Sequence, residues 1–391
     1  MAPGRTRRLA HRPSRSFHIM NVAQLSPWLR LHAIDGVGDR TMVKLVQVFG
    51  GPDRVLAAEA ADLIQAGCSP ELAGAIRRGA DTAALRRIDR QVADVERCSI
   101  RVMAFTEPTY PQRLAAIPDP PPLLYYTGEW RERDALAVAI VGGRQASPAG
   151  RALTEDIAAA LAEAGWTVVS GMARGIDAAA HRGALAAQGR TIAVLGCGVD
   201  RTYPPEHDEL RRQIDAQGIV VSELPVGMPP QSHHFPKRNR IISGLSLGVL
   251  VAEARVSSGS LITAALALEQ GREVFALPGS PRDERCRGSN RLIRDGAKLI
   301  ESAADILEEL APQVDVAPAS GAVRSTARSG TLGALTPEEQ RVYDILSDEA
   351  QPVDAVIEQA GLSAAQVSAT LLALELRGHV RQLPGQQYVR R

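Results

Sequence analysis

Between residues 135 and 310 two hydrophobic patterns alternate. Short apolar runs stand at 136–141, 167–169, 191–195, 219–221, 248–252 and 273–277, with a further short one at 298–300. Longer alanine-rich helical stretches, such as 149–164 and 261–270, lie between them. Strands that alternate with helices of this length predict an α/β fold built on a mostly parallel, doubly wound sheet. Upstream, residues 21–100 carry helical periodicity, interrupted at Gly36-Val37-Gly38. That is the shape of a helix-hairpin-helix, a SAM-like unit. Its glycines permit a tight turn and leave amides at a helix start, which suits either a DNA backbone or plain helix packing.

The remaining segments divide the chain further. Residues 101–134 are proline-rich but carry bulky apolar side chains, including Leu123-Leu124-Tyr125-Tyr126, so they read as an extended tether and a short strand packed on the next domain. Residues 311–333 are rich in Pro, Ala, Ser, Gly and Thr, the composition of a flexible linker. Over 334–391, Thr336-Pro337-Glu338-Glu339 starts a helix, Ala360-Gly361-Leu362-Ser363 separates two more, and 378–389 closes as a two-stranded wing. This last unit reads as a winged helix. Residues 1–20 carry five arginines and no acid, and read as a disordered basic tail; Met20 stands where a later start would fall. The expected domains are therefore 1–20, 21–100, 101–310, 311–333 and 334–391.

Composition narrows the function classes. The 391 residues carry a net charge of +1, which excludes coating of nucleic acid by bulk charge and makes any anion site a local patch. No apolar run reaches the ~20 residues of a membrane span. The cysteines Cys68, Cys98, Cys197 and Cys286 are scattered, with no CxxC pair. That argues against a zinc ribbon or a disulfide framework and suits a reducing cytoplasm. Lysine is rare (Lys44, Lys237 and Lys298), so its placement is informative.

In an open parallel sheet, ligands bind beyond the carboxyl ends of the strands. Those ends read Gly142-Gly143-Arg144, Ser170-Gly171-Met172-Ala173-Arg174-Gly175, Gly196-Cys197-Gly198, Ser222-Glu223, Ser257-Ser258-Gly259-Ser260 and Pro278-Gly279-Ser280. Repeated glycine and serine on one rim point to a phosphate-bearing ligand. Neither GxxxxGK[ST] nor a complete GxGxxG occurs, which argues against a P-loop or a dinucleotide site. Phe235-Pro236-Lys237-Arg238-Asn239-Arg240 places three cations beside an aromatic ring, the elements that grip phosphodiesters and stack bases. Arg144, Lys237, Arg238 and Arg240 are expected to line one positive groove. For catalysis the candidates are Ser170, Asp177, His181, Glu223 and Glu253. Asp177 and His181 share a helix face, a spacing that equally serves to order the Arg174-Gly175 loop. His233-His234 lacks partners at metal-ligand spacing. The expectation is a binding protein with no catalytic residues, cofactor or metal.

Taken together, Ile140-Val141-Gly142-Gly143-Arg144, Ser170 to His181, Gly196 to Pro204, Phe235 to Gly244, Ser258 to Ala264 and Gly288 to Ala297 resemble the DNA-processing protein DprA family, also called Smf. The resemblance is dense over 100–310. It implies an extended Rossmann fold that binds single-stranded DNA, loads the RecA recombinase onto it in natural transformation, and acts as a homodimer without catalytic turnover. It assigns DNA contacts to Arg144, the Ser170–Gly175 loop and the Arg238-Asn239-Arg240 helix start; with the rim, aromatic and lysine positions read above, the candidate DNA contacts are Gly143, Arg144, Ser170, Gly171, Arg174, Gly175, Phe235, Lys237, Arg238, Asn239, Arg240, Ser258, Gly259 and Ser260. Asn290, Ile293, Arg294 and Leu299 fall where the dimer and RecA contacts are made. One departure stands out: Pro204 is followed by Pro205-Glu206 where some members carry a lysine. The alternative is a nucleotide-processing hydrolase on a related scaffold. Such enzymes carry PGGxGTxxE, and the comparable loop 258–263 lacks the glutamate.

Overall fold

The computed structural model describes residues 20, 22–313, 337–347, 351–376, 380–383 and 387–390. The tail expected at 1–20 (apart from residue 20), nearly all of the linker at 311–333, and the capping Thr336 lie outside these residues. The described residues up to 313 form one compact unit and those from 337 a second.

The first unit is built on nine strands: β1 (Arg101–Ala104), β2 (Leu123–Gly128), β3 (Ala137–Val141), β4 (Thr167–Ser170), β5 (Arg190–Val194), β6 (Ile219–Ser222), β7 (Gly248–Val251), β8 (Glu273–Ala276) and β9 (Lys298–Leu299). Their order is β1-β2-β6-β5-β4-β3-β7-β8-β9. β6 through β9 in that order are parallel; β1 and β2 run antiparallel at one edge. The chain runs outward from β3 to β6, then returns beside β3 as β7, so the switch point lies between β3 and β7. Every residue of β3 is buried, and they alternate between two cores. Val138 and Ile140 meet Ile157 and Leu161 of the helix Pro148–Glu163 and Ile306 of Ala303–Leu310. Ala139 and Val141 meet Ile241 of the helix His234–Leu245 and Ala264 of Gly259–Glu269. The seven apolar runs of the central region thus became β3 to β9, within two residues at each end. The proline-rich tract holds one strand that its composition hid: β1, which pairs with β2.

The helical region expected at 21–100 folds as helices Val22–His32, Asp39–Phe49, Pro52–Ala57, Ala60–Gln65, Pro70–Arg78 and Thr82–Arg97. They do not make a separate core. Leu31, Leu45 and Val46 join Leu195, Ile214 and Val220 of the sheet domain in one apolar cluster.

The second unit packs helices Pro337–Ile345, Val353–Ala360 and Ala364–Leu376 around Val342, Val356, Leu371 and Leu374. Its sheet has three strands, β10 (Gln351–Pro352), β11 (Val380–Leu383) and β12 (Gln387–Arg390), in the order β10-β12-β11. The wing expected as two strands gains β10. Gln366 closes a capping box with Ser363: the Ser363 amide donates to Gln366 Oε1 at 3.0 Å and the Gln366 amide donates to Ser363 Oγ at 3.4 Å.

Candidate nucleic-acid interface

A cavity of about 830 Å³ opens at the switch point, beyond the carboxyl ends of β3, β4 and β7. Its walls are three loops and two helix starts. The β3 loop contributes Gly143 and Arg144, and the β4 loop contributes Arg174. The helix His234–Leu245 contributes Phe235, Arg238 and Asn239; the start of Gly259–Glu269 contributes Ser258, Gly259 and Ser260. The loops are tied together by backbone: Gly143 donates to the Glu253 carbonyl at 2.6 Å, and its own carbonyl accepts from Ile176 at 3.3 Å. Gly175 has φ +79° and lies against the Gly143 carbonyl, so a side chain would force the loops apart.

The cations divide into distinct roles. Arg144 is exposed, makes no ion pair among the described residues, and lies over the Phe235 ring at 5.5 Å. Arg174 is exposed and ion-paired with Glu206. Arg238 borders the cavity yet is only 5% exposed. Its Nη1 donates to the Gly171 carbonyl at 2.8 Å and to the Val194 carbonyl. Burial pulls its pKa down to about 10, still charged at neutral pH. Arg238 thus holds the Gly171 loop from below, and a side chain at Gly171 would collide with the guanidinium.

Lys237 and Arg240 point away from the cavity. On this helix Lys237 lies about 100° and Arg240 about 200° around the axis from Arg238, and acids wait on those sides. Lys237 pairs with Asp39 at 2.7 Å and Glu223 at 3.4 Å. Arg240, 3% exposed, makes a fork to Glu223 at 2.8 and 2.7 Å and pairs with Asp119 at 2.9 Å. The expectation that four cations line one groove therefore holds for Arg144, in part for Arg238, and fails for Lys237 and Arg240. Asp39 is the first residue after Gly36-Val37-Gly38, so the glycine hairpin carries a carboxylate toward the sheet domain. Burial opposes that charge, but hydrogen bonds from His32 and Lys237 outweigh it and hold the Asp39 carboxyl far below its usual range. Burial also works against the Lys237 ammonium, and Glu223 and Asp39 overcome it, raising its pKa. This hairpin docks one part of the protein on another.

Ser170 and Gly171 do not reach the cavity. Ser170 is buried and donates to the Ile140 carbonyl at 2.6 Å. The candidate catalytic groups are similarly spent. Asp177 accepts from the Ala173 amide at 3.3 Å, with burial pushing its carboxyl up against the pull of Arg238. His181 is buried against Thr191 Oγ1 at 2.6 Å, and burial lowers its pKa to about 3, leaving a neutral ring. Glu253 accepts the Ser147 amide at 2.8 Å and hydroxyl at 2.5 Å, pinning the start of Pro148–Glu163. No cluster of three metal-ligating groups occurs among the described residues.

Among the cavity residues that the sequence reading did not nominate are two arginines and a tyrosine. Arg255 is exposed and makes no ion pair among the described residues; as the first cation beyond β7, the strand-end rule could have found it. Arg285 is held by Asp283 at 2.7 Å, and Tyr203 lies beside Phe235. Both come from distant loops and have no local signal. The residues expected at a subunit contact lie elsewhere, at the other sheet edge. Leu299 is exposed on β9, Ile293 is half-buried and Arg294 exposed, while Asn290 braces the Gly279 loop with bonds of 3.0 and 2.8 Å. Among the described residues no helix is long and apolar enough to cross a membrane.

A family model for DNA recombination-mediator protein A matches residues 101–311, and one for the DprA winged helix domain matches 326–386. The chain is 42% identical over 282 residues to Protein Smf of Escherichia coli, covering 72% of this chain and 75% of that one. It is 46% identical over 200 residues to DNA processing protein DprA of Streptococcus pneumoniae, covering 51% of this chain and 71% of that one. The X-ray structure of the S. pneumoniae protein matches with TM-score 0.62 and 36% identity over 75% of this chain and 99% of that one. A Helicobacter pylori DprA structure, described for its unique single-stranded DNA binding mode, matches with TM-score 0.50 and 30% identity over 55% of this chain and 96% of that one. With more than half of its length matched by the family model and its Rossmann-like sheet followed by a winged helix, the chain belongs to the DNA recombination-mediator protein A (DprA/Smf) family.

Proposed function

We propose that this protein binds single-stranded DNA in the switch-point groove and hands it to a RecA recombinase as a recombination mediator, in the cytoplasm, during DNA uptake. One observation carries the reading. Arg144, Arg174, Arg255 and Arg285 line the same cavity as the start of the helix Gly259–Glu269, where Ser258 caps an amide, and the rings of Tyr203 and Phe235 line it too. Cations and helix amides suit phosphates, and rings suit unstacked bases. A duplex offers its phosphates but buries its bases, so the groove favours a single strand. Each carboxylate that a hydrolase would use is already engaged by a backbone amide, a serine or an arginine, which supports binding without turnover. The H. pylori relative, whose solved structure concerns single-stranded DNA binding, lends further support. An exposed edge strand at Lys298–Leu299 supports a homodimer through Ile293, Arg294 and Leu299, with Asn290 positioning the loop behind them. The test is fluorescence anisotropy with labelled oligo-dT. Arg144→Ala should lower affinity about tenfold while the protein stays folded; wild-type affinity in this variant would remove the groove from the mechanism.

A further inference from the structure

Phe235 is the ring that sequence alone nominates for stacking, but its surroundings leave it little to offer. The Arg144 guanidinium lies over it at 5.5 Å. Gly196 abuts it so closely that a Cβ there would sit 2.8 Å from Cδ1 and 3.0 Å from Cε1. Tyr203 borders it with ring centroids 5.5 Å apart and planes tilted by 39°. Phe235 itself is half-buried. Tyr203 lines the same cavity and remains 38% exposed.

We propose that Tyr203 is the base-stacking residue of the groove, with Phe235 as the support that sets its tilt and holds Arg144. This rests on the reading of the groove as a single-strand site. Stacking on a flat ring gains most when the ring is already held in place. Tyr203 is followed by Pro204 and Pro205, which fix the backbone on its carboxyl side. The next turn, Pro205–His207, is tied to the β4 loop twice: His207 Nδ1 bonds the Met172 carbonyl at 2.9 Å, and Glu206 pairs with Arg174. The ring therefore stands between two groove cations, Arg144 on the Phe235 side and Arg174 on the Glu206 side. A base on Tyr203 would place its flanking phosphates near both.

The experiment compares the full-length protein with Tyr203→Ala and Tyr203→Trp. Anisotropy titrations use labelled oligo-dT and an abasic deoxyribose-phosphate strand of equal length. Tyr203→Ala should weaken oligo-dT binding about tenfold, and Tyr203→Trp should recover it. Neither should change binding to the abasic strand, because its phosphates are intact. Wild-type affinity of Tyr203→Ala for oligo-dT, or an equal loss on both strands, would overturn the assignment. A wild-type protein that binds the abasic strand as tightly as oligo-dT would overturn it too. Failure of the wild-type protein to bind either strand would instead remove the single-strand reading on which it rests.

Discussion

Replacing Arg238 by methionine separates a groove ligand from a groove support. Arg238 is nearly inaccessible and donates to two carbonyls, of Gly171 and Val194. It is also the main positive charge acting on buried Asp177. Methionine keeps most of the volume but removes the donors and the charge. Hydrogen bonds from a charged donor contribute about 1.5–3 kcal/mol each, and stranding a buried charge costs about 3–5 kcal/mol. These overlap, and relief of the guanidinium's own burial offsets part, so the net loss is about 3–5 kcal/mol. That is a large fraction of the ~5–15 kcal/mol holding a typical domain. Urea unfolding followed by circular dichroism should show the midpoint falling by about 1 M or more. Arg144→Ala, at an exposed position without an ion pair among the described residues, should leave the unfolding free energy within about 0.5 kcal/mol of wild type while DNA affinity drops. If Arg238→Met unfolds like wild type and loses affinity as Arg144→Ala does, then Arg238 contacts DNA and its assignment as a support is wrong.

Two further outcomes follow from charge placement. Asp39→Asn should loosen the helical region from the sheet, lowering stability by about 1–2 kcal/mol. Because the folded Asp39 pKa is depressed, the wild-type contribution is full above the unfolded carboxylate range near pH ~4, declines progressively below it and vanishes only below the much lower folded pKa; the difference between the two proteins' acid unfolding curves should therefore shrink steadily as pH falls from ~4. The winged-helix region 334–391 carries eight acids and five arginines, net −3, a poor match to a polyanion. Ending the chain after residue 313 should therefore leave oligo-dT affinity within a few-fold of full length, and a loss of about tenfold or more would show that the charge argument fails.

The parallel sheet was legible because both-face burial writes strands as plain apolar runs, so β3 to β9 stood out, and strand-end glycines located the rim. Which way each cation points was not legible. Lys237, Arg238 and Arg240 lie within four residues, and a helix sends them to different sides. Only the acids brought in from Asp39, Asp119 and Glu223 decide that two of the three are spent on internal pairing. The same holds in the winged helix. Thr370 and Gln366 are polar positions of one helix, and residue type alone does not tell that the first is buried while the second caps its own helix. Tyr203 and Arg285 reach the groove from loops whose positions depend on the whole sheet, and short-range pattern carries no trace of that.

The most direct test of the central claim is the salt dependence of oligo-dT binding by the wild-type protein, with duplex of the same length as competitor. The groove offers two cations without ion pairs among the described residues, Arg144 and Arg255, and two, Arg174 and Arg285, that must exchange an acid for a phosphate. Two to four neutralised phosphates give a slope of log affinity against log salt of about −1.4 to −2.8 on a single strand. The account predicts a slope in that range and weak displacement by duplex. A slope near zero, or duplex competing as well as single strand, would contradict it.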